Sequence, residues 1–164
     1  MLFRHVKAGV ILGSVVAVAA IGCATARPTA IGSGDPVADR QRLMKNNGAN
    51  WADIQNKVKA GNVEGVAVNA EALALHAQRI TLLFPEGSLT EKSKAKPEIW
   101  QKWPEFESAV KNYATQAEKL RDAARSKDLA ATEAVAKEFG RQACGTCHQP
   151  FRVPPPQQQA PPTR

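Results

Sequence analysis

Five consecutive residues near the C-terminus, Cys144-Gly145-Thr146-Cys147-His148, carry the most chemistry in this sequence. Cys-x-x-Cys-His is the attachment signature of c-type haem: two cysteines form thioethers with the porphyrin vinyl groups, and the adjacent imidazole takes one axial position on iron. On a helix, residues three and four apart share a face, so Cys144, Cys147 and His148 project toward one side. A redox disulfide would need a βαβ setting, and a zinc site would need a second pair of ligands. The sequence offers neither, since only Cys23, His5 and His76 remain of those residue types.

The elements that must position this motif are helical. The chain has 164 residues, enough for one domain with a core around a cofactor. Its aromatic content of 5% leaves little for a β-sandwich core, and its Ala, Lys, Glu, Gln and Leu favour helix, so the expected class is all-α. Residues 1–26 read as a signal peptide, with Arg4 and Lys7, an uncharged apolar run from Ala8 to Ile21, and the cleavage pattern Ala24-Thr25-Ala26. The run is too short for the roughly 20 residues of a membrane span. Ala20-Ile21-Gly22-Cys23 also resembles a bacterial lipobox, so two products stay open: a soluble one cleaved after Ala26, or one anchored to lipid through Cys23. Either is exported, and the expected location is the bacterial periplasm. Residues 27–34 read as a flexible segment and residues 153–164, rich in Pro and Gln, as a disordered tail.

Between them, residues 35–152 form the expected domain, in four amphipathic segments. Asp35-Pro36 opens the first as an N-cap and N1 pair. Val37, Met44, Trp51 and Val58 recur every seven residues, with Leu43 and Ile54 interleaved, and Gly61 stops it. The second carries the rows Val63, Ala70, Ala77, Phe84 and Val66, Leu73, Ile80, and Pro85 ends it. Residues 85–97 predict a solvated, lysine-rich connection without chemistry of its own, closing on Trp100, which packs under the bundle. The third segment begins at Trp103-Pro104 with rows Phe106, Tyr113, Leu120 and Val110, Ala117, Ala124. The fourth, capped by Asp128, carries Leu129, Ala136 and Ala143 beside Thr132 and Phe139, and runs directly into Cys144. His76 falls beside the second seam and reads as a partly exposed helix residue rather than an iron ligand.

This order of four helices with the haem motif last resembles the class II c-type cytochromes, the cytochrome c prime family with its low-spin relatives. Four stretches carry the resemblance: Arg40-Gln41-Arg42-Leu43-Met44-Lys45, Phe84-Pro85-Glu86-Gly87-Ser88, Lys96-Pro97-Glu98-Ile99-Trp100, and Cys144 to Arg152. It implies an antiparallel up-down four-helix bundle with one covalently attached haem c. It also implies a distal residue supplied by the first helix, where Met44 stands. In the low-spin branch the methionine binds iron opposite His148 and the protein carries electrons. In the cytochrome c prime branch the iron is five-coordinate and binds small gases such as nitric oxide or carbon monoxide. The Leu43–Gly48 run resembles the former and Arg40 the latter. Gln149 and Pro150 depart from the family pattern, and Pro150 is expected to end the last helix early and displace Arg152, which matches a family arginine beside the proximal imidazole. Homodimers through the first two helices are common in the family. Without residues 1–26 the chain keeps 20 basic and 15 acidic residues, a net charge of +5 before any haem propionates, which suits protein redox partners with acidic surfaces. No basic and aromatic pattern points to nucleic acid.

Overall fold

A computed structural model describes residues 32–155. The signal-peptide and lipobox readings, Cys23, residues 27–31 and the tail from residue 156 lie outside the described residues. The class is as expected: the described chain is a helical bundle whose only bridge between extended segments is the isolated pair Ala95 and Arg152.

Helix α1 spans Pro36–Lys59. Asp35 starts it, its Oδ1 accepting from the backbone N–H of Val37 at 2.9 Å and of Ala38 at 3.1 Å, a cap that contributes about 1 kcal/mol. Gly61, at φ 68°, supplies the left-handed turn that follows α1. Asn62 then caps α2, Val63–Ile80, by accepting from Gly65 N–H at 2.9 Å. The second helix is shorter than its apolar rows suggest, because the chain tightens into a 3₁₀ turn over Thr81–Leu83 before Pro85. A four-residue helix, α3 (Glu98–Gln101), closes the connection, and α4 (Trp103–Arg125) returns across the bundle. Lys127, at φ 61°, turns the chain into α5 (Leu129–Phe139), capped by Asp128 Oδ1 on Ala131 N–H at 2.9 Å.

The core lies where the predicted rows converge. Ile54 of α1, Val66, Ala70 and Leu73 of α2, Phe106, Ala117 and Leu120 of α4, and Phe139 of α5 are all at most 1% exposed. Each large apolar side chain buried there stabilises the fold by about 1.5–3 kcal/mol. Helix α2 packs mainly against α4 and α1, and α4 also against α5. One polar knot sets the register of α1 on α2: buried Asn69 donates to Asn50 Oδ1 and Asp53 Oδ2, both at 3.0 Å, and accepts from Lys57 Nζ at 2.6 Å.

The predicted first row departs from the core in an informative way. Val37 is buried, but Met44, Trp51 and Val58 are only partly so. Met44 and Trp51 turn instead to internal space, described below.

Candidate haem-binding site

The fourth predicted helix does not run unbroken into the motif. Residues Gly140–Gly145 form a π-helical segment, and α6 (Thr146–Phe151) follows it, so Cys144 sits on the wide turn and Cys147 and His148 on the new helix. A π segment inserts a residue relative to an α-helix, and such widenings cluster at functional sites. Its backbone is supported from α4, where Asn112 Nδ2 donates to Gln142 O at 2.6 Å and Thr146 Oγ1 at 3.2 Å. Pro150 does not stop the helix early. It lies inside α6, which runs one residue further to Phe151, and Arg152 N–H still donates to His148 O at 3.1 Å.

The connection of residues 85–97 is largely exposed, as expected, and its Lys94 and Ala95 also wall the site. Lys96 N–H donates to Phe151 O and Val153 N–H to Lys94 O, each at 2.9 Å, which straps the end of α6 to the connection. The other anchor is Arg40, 4% exposed in α1. Its Nη1 donates to Leu83 O at 3.2 Å and Ser88 Oγ at 2.9 Å, and its Nη2 to Ser88 O at 2.7 Å and Ser93 Oγ at 2.8 Å. The guanidinium also lies 4.9 Å from the centre of the Phe84 ring.

These elements enclose two neighbouring cavities, of about 460 and 120 Å³. Met44, Ile80, Cys147 and His148 border both. The larger is walled by Phe84, Phe106 and Phe151, with Arg40, Lys45, Lys94 and Arg152 also on its lining. The smaller is lined by Asn47, Gly48 and Trp51 of α1, Tyr113 of α4, and Phe139 and Cys144 from the opposite side. All four residues singled out in the sequence therefore meet at one place, although Met44 lies 100 positions from Cys144 in the chain.

The local environment leaves the motif in its neutral forms. Burial, reinforced by the neighbouring Cys144, pushes the Cys147 thiol up to about 11, and burial raises Cys144 as well. The two thiols are unbridged. The surrounding protein, with the Arg152 charge, holds His148 below its ordinary value, so near neutral pH the imidazole keeps a lone pair for a metal.

Two features test whether haem fits. Tyr113 is 6% exposed and its hydroxyl has no hydrogen-bond partner among the described residues, a cost of about 1–3 kcal/mol that an acceptor on a bound group or a water would relieve. At Gly48 a Cβ would meet nothing within 4 Å, so this stretch of α1 presents a smooth wall to the cavity. Aromatic walls around two thiols, an imidazole and a thioether suit a flat apolar macrocycle with a soft-ligated iron. The residues fit the group. Pattern alone does not single out Tyr113, Asn47, Gly48 or the role of Arg40 as site features: Tyr113 falls on a core row, and Asn47 and Gly48 belong to the Leu43–Gly48 run.

Residues 35–152 match the family model described as Cytochrome C'. The chain belongs to the cytochrome c' family. Its members bind covalently attached haem c, so haem c is its cofactor. Cytochrome c' of Pararhodospirillum photometricum is 31% identical over 117 residues, covering 69% of this chain and 92% of that one. Cytochrome c-556 of Agrobacterium fabrum is 28% identical over 145 residues, 87% of this chain and 96% of that one. Cytochrome c-554 of Cereibacter sphaeroides is 37% identical over 73 residues, but the match spans only 46% of that protein and 43% of this chain. A ferrous variant of cytochrome c prime from Alcaligenes xylosoxidans with bound nitric oxide superimposes with a TM-score of 0.66, at 22% identity, over 74% of this chain and 95% of that one. At that identity the likeness speaks for the four-helix bundle.

Proposed function

We propose that Cys144 and Cys147 hold one haem c through thioether bonds, that His148 and Met44 are the proximal and distal axial ligands, and that the protein passes single electrons between protein partners. The observation that carries this reading is the position of Met44: a thioether on α1 borders the same two cavities as Cys147 and His148. Bound there, the haem supplies exchange of one electron between ferrous and ferric iron. The chain supplies two ligands that suit both oxidation states, a neutral imidazole and a soft sulfur. It also ties their helices together, with Arg40 joining α1 to the connection and the Lys96 and Val153 hydrogen bonds joining the end of α6 to the same connection. A site held this firmly at both ends needs little rearrangement when its charge changes. We read the protein as a carrier rather than an enzyme, working in the periplasm and meeting partners of acidic surface. No helix among the described residues is long and apolar enough to cross a membrane. The lipid anchor is decided by the mass of the mature N-terminus, which is either a lipidated Cys23 or a chain beginning after Ala26. A homodimer is supported by Val68, Leu75 and Leu82, an exposed apolar row on α2 and its 3₁₀ extension, and light scattering measures it.

The test is the absorption spectrum of the ferric holoprotein with and without Met44→Ala. We expect a low-spin, sulfur-ligated spectrum that turns high-spin in the variant, which binds carbon monoxide once reduced to the ferrous form. A second reading, a five-coordinate protein that binds nitric oxide or carbon monoxide, is favoured by the match to the Pararhodospirillum cytochrome c'. A high-spin spectrum in the unaltered protein would establish that reading instead.

A further inference from the structure

One polar contact on the α1 side of the smaller cavity has no part in the account above. His76 Nδ1 and Asn47 Oδ1 lie 2.7 Å apart, joining α2 to α1. A carbonyl oxygen only accepts, so Nδ1 carries the proton and donates. Asn47 is half-buried and lines the cavity with Met44, Gly48 and Trp51, the i, i+3, i+4, i+7 face of α1. With Oδ1 committed to His76, the Asn47 amide nitrogen donates to no described residue.

We propose that Asn47 is a ligand-selecting group of the distal cavity: its amide N–H, oriented by His76, favours small iron ligands that accept a hydrogen bond over those that accept one poorly. The proposal rests on the haem being held between α1 and α6 as described above. Beyond Asn47, the α1 lining of the smaller cavity is Met44, Gly48 and Trp51, so the amide is the short polar group on that wall. An anionic ligand such as cyanide gains from a nearby N–H donor in a pocket of low polarity, whereas carbon monoxide gains little. His76 acts through Asn47 and is a positioning residue. Without the imidazole the amide is free to rotate and present its oxygen to the cavity, which would repel the same anion. The neutral tautomer and the imidazolium both carry hydrogen on Nδ1, so the contact persists in either state.

The test uses holoprotein carrying Met44→Ala throughout, which opens the distal position whether or not Met44 ligates iron in the unaltered chain. Covalent haem is measured separately, by the pyridine haemochrome spectrum, so a failure of the coordination reading does not register as a change in ligand preference. Dissociation constants are measured for cyanide on the ferric form and carbon monoxide on the ferrous form. Asn47→Leu and Asn47→Ala should each weaken cyanide by about tenfold or more, the scale of one hydrogen bond to a charged group, with carbon monoxide changed less than about twofold. His76→Leu should shift the ratio in the same direction, and His76→Asn, whose Nδ2 stands near the position of Nδ1, should restore it. A residue that merely supports the fold would move both ligands together. Parallel changes in the two constants, or an unchanged ratio in both Asn47 variants, would overturn the proposal.

Discussion

At the scale of single residues, the buried hydroxyl of Tyr113 defines what the cavity must receive. A phenol 6% exposed with no partner is a net cost to the fold, and burial holds its pKa well above the ordinary tyrosine value, so it stays a neutral donor at any physiological pH. If the bound group or an ordered water satisfies that hydroxyl, Tyr113→Phe removes a real hydrogen bond. The variant holoprotein should then be about 1 kcal/mol less stable in urea unfolding. A more stable variant would mean that the hydroxyl stays unpartnered in the holoprotein. The motif itself was fully legible in sequence, because thioether attachment depends on adjacent residue types. Tyr113 was not, since the seven-residue row that places it in the core with Phe106 and Leu120 says nothing about where its oxygen ends. Met44 was ambiguous for the same reason: its row predicts burial, and only the three-dimensional arrangement turns it toward a cavity shared with His148.

Among the elements, the regular helices follow from sequence and the irregular ones do not. Caps at Asp35, Asn62 and Asp128 and the sevenfold rows on α2 and α4 mark helices whose hydrogen bonds are local, so local patterns suffice. The connection of residues 85–97 is held by contacts far apart in sequence, from Arg40 and Gln41 on one side and with Phe151 and Val153 on the other, and no periodicity encodes them. Arg40→Leu should therefore loosen this wall of the site, costing about 2–4 kcal/mol in chemical denaturation and accelerating amide exchange at Ser88, Ser93 and Lys96. Arg40→Lys should recover only part of the loss, because an ammonium cannot reproduce the fork of donors. The π segment Gly140–Gly145 is equally invisible to pattern, yet it holds Cys144 and leads directly into Cys147 and His148. Arg141, exposed within it, pairs among the described residues with Glu138 of α5. Deleting Arg141 would relax the segment to α-helix and leave Cys147 and His148 facing nearly as they do, because the wide turn holds one residue more than an α turn and the deletion removes it. The expected outcome is that the haem-bearing protein keeps the sulfur-ligated spectrum. Loss of that spectrum would show that the wide turn itself aims the motif.

On the scale of the whole molecule, charge is distributed unevenly around the site. The described ion pairs join Asp39 to Arg42, Asp53 to Lys57, Glu71 to Arg121 and Arg125, Asp122 to Arg121, Glu64 to Lys127 and Glu138 to Arg141. Lys45, Lys94 and Arg152, which border the larger cavity, take part in none of these pairs. Lys94 and Arg152 line the cavity from the two segments joined by the Ala95–Arg152 bridge, and Lys45 lines it from α1. A cluster of uncompensated cations at a cavity mouth raises the local concentration of anions and speeds their encounter, by about 10- to 1,000-fold in steered systems. Oxidation of the ferrous holoprotein by hexacyanoferrate(III) should accordingly slow as ionic strength rises, most steeply below about 0.1 M, where the screening length exceeds about 10 Å. Reversing two of the charges, Lys45→Glu with Lys94→Glu, should lower the rate at low salt by about tenfold and flatten its salt dependence. A neutral oxidant, which feels no steering, should react with both proteins at the same rate. If the double variant keeps the steep dependence on salt, the electron leaves through another face, and the uncompensated cations at the cavity mouth serve the haem propionates rather than an acidic partner.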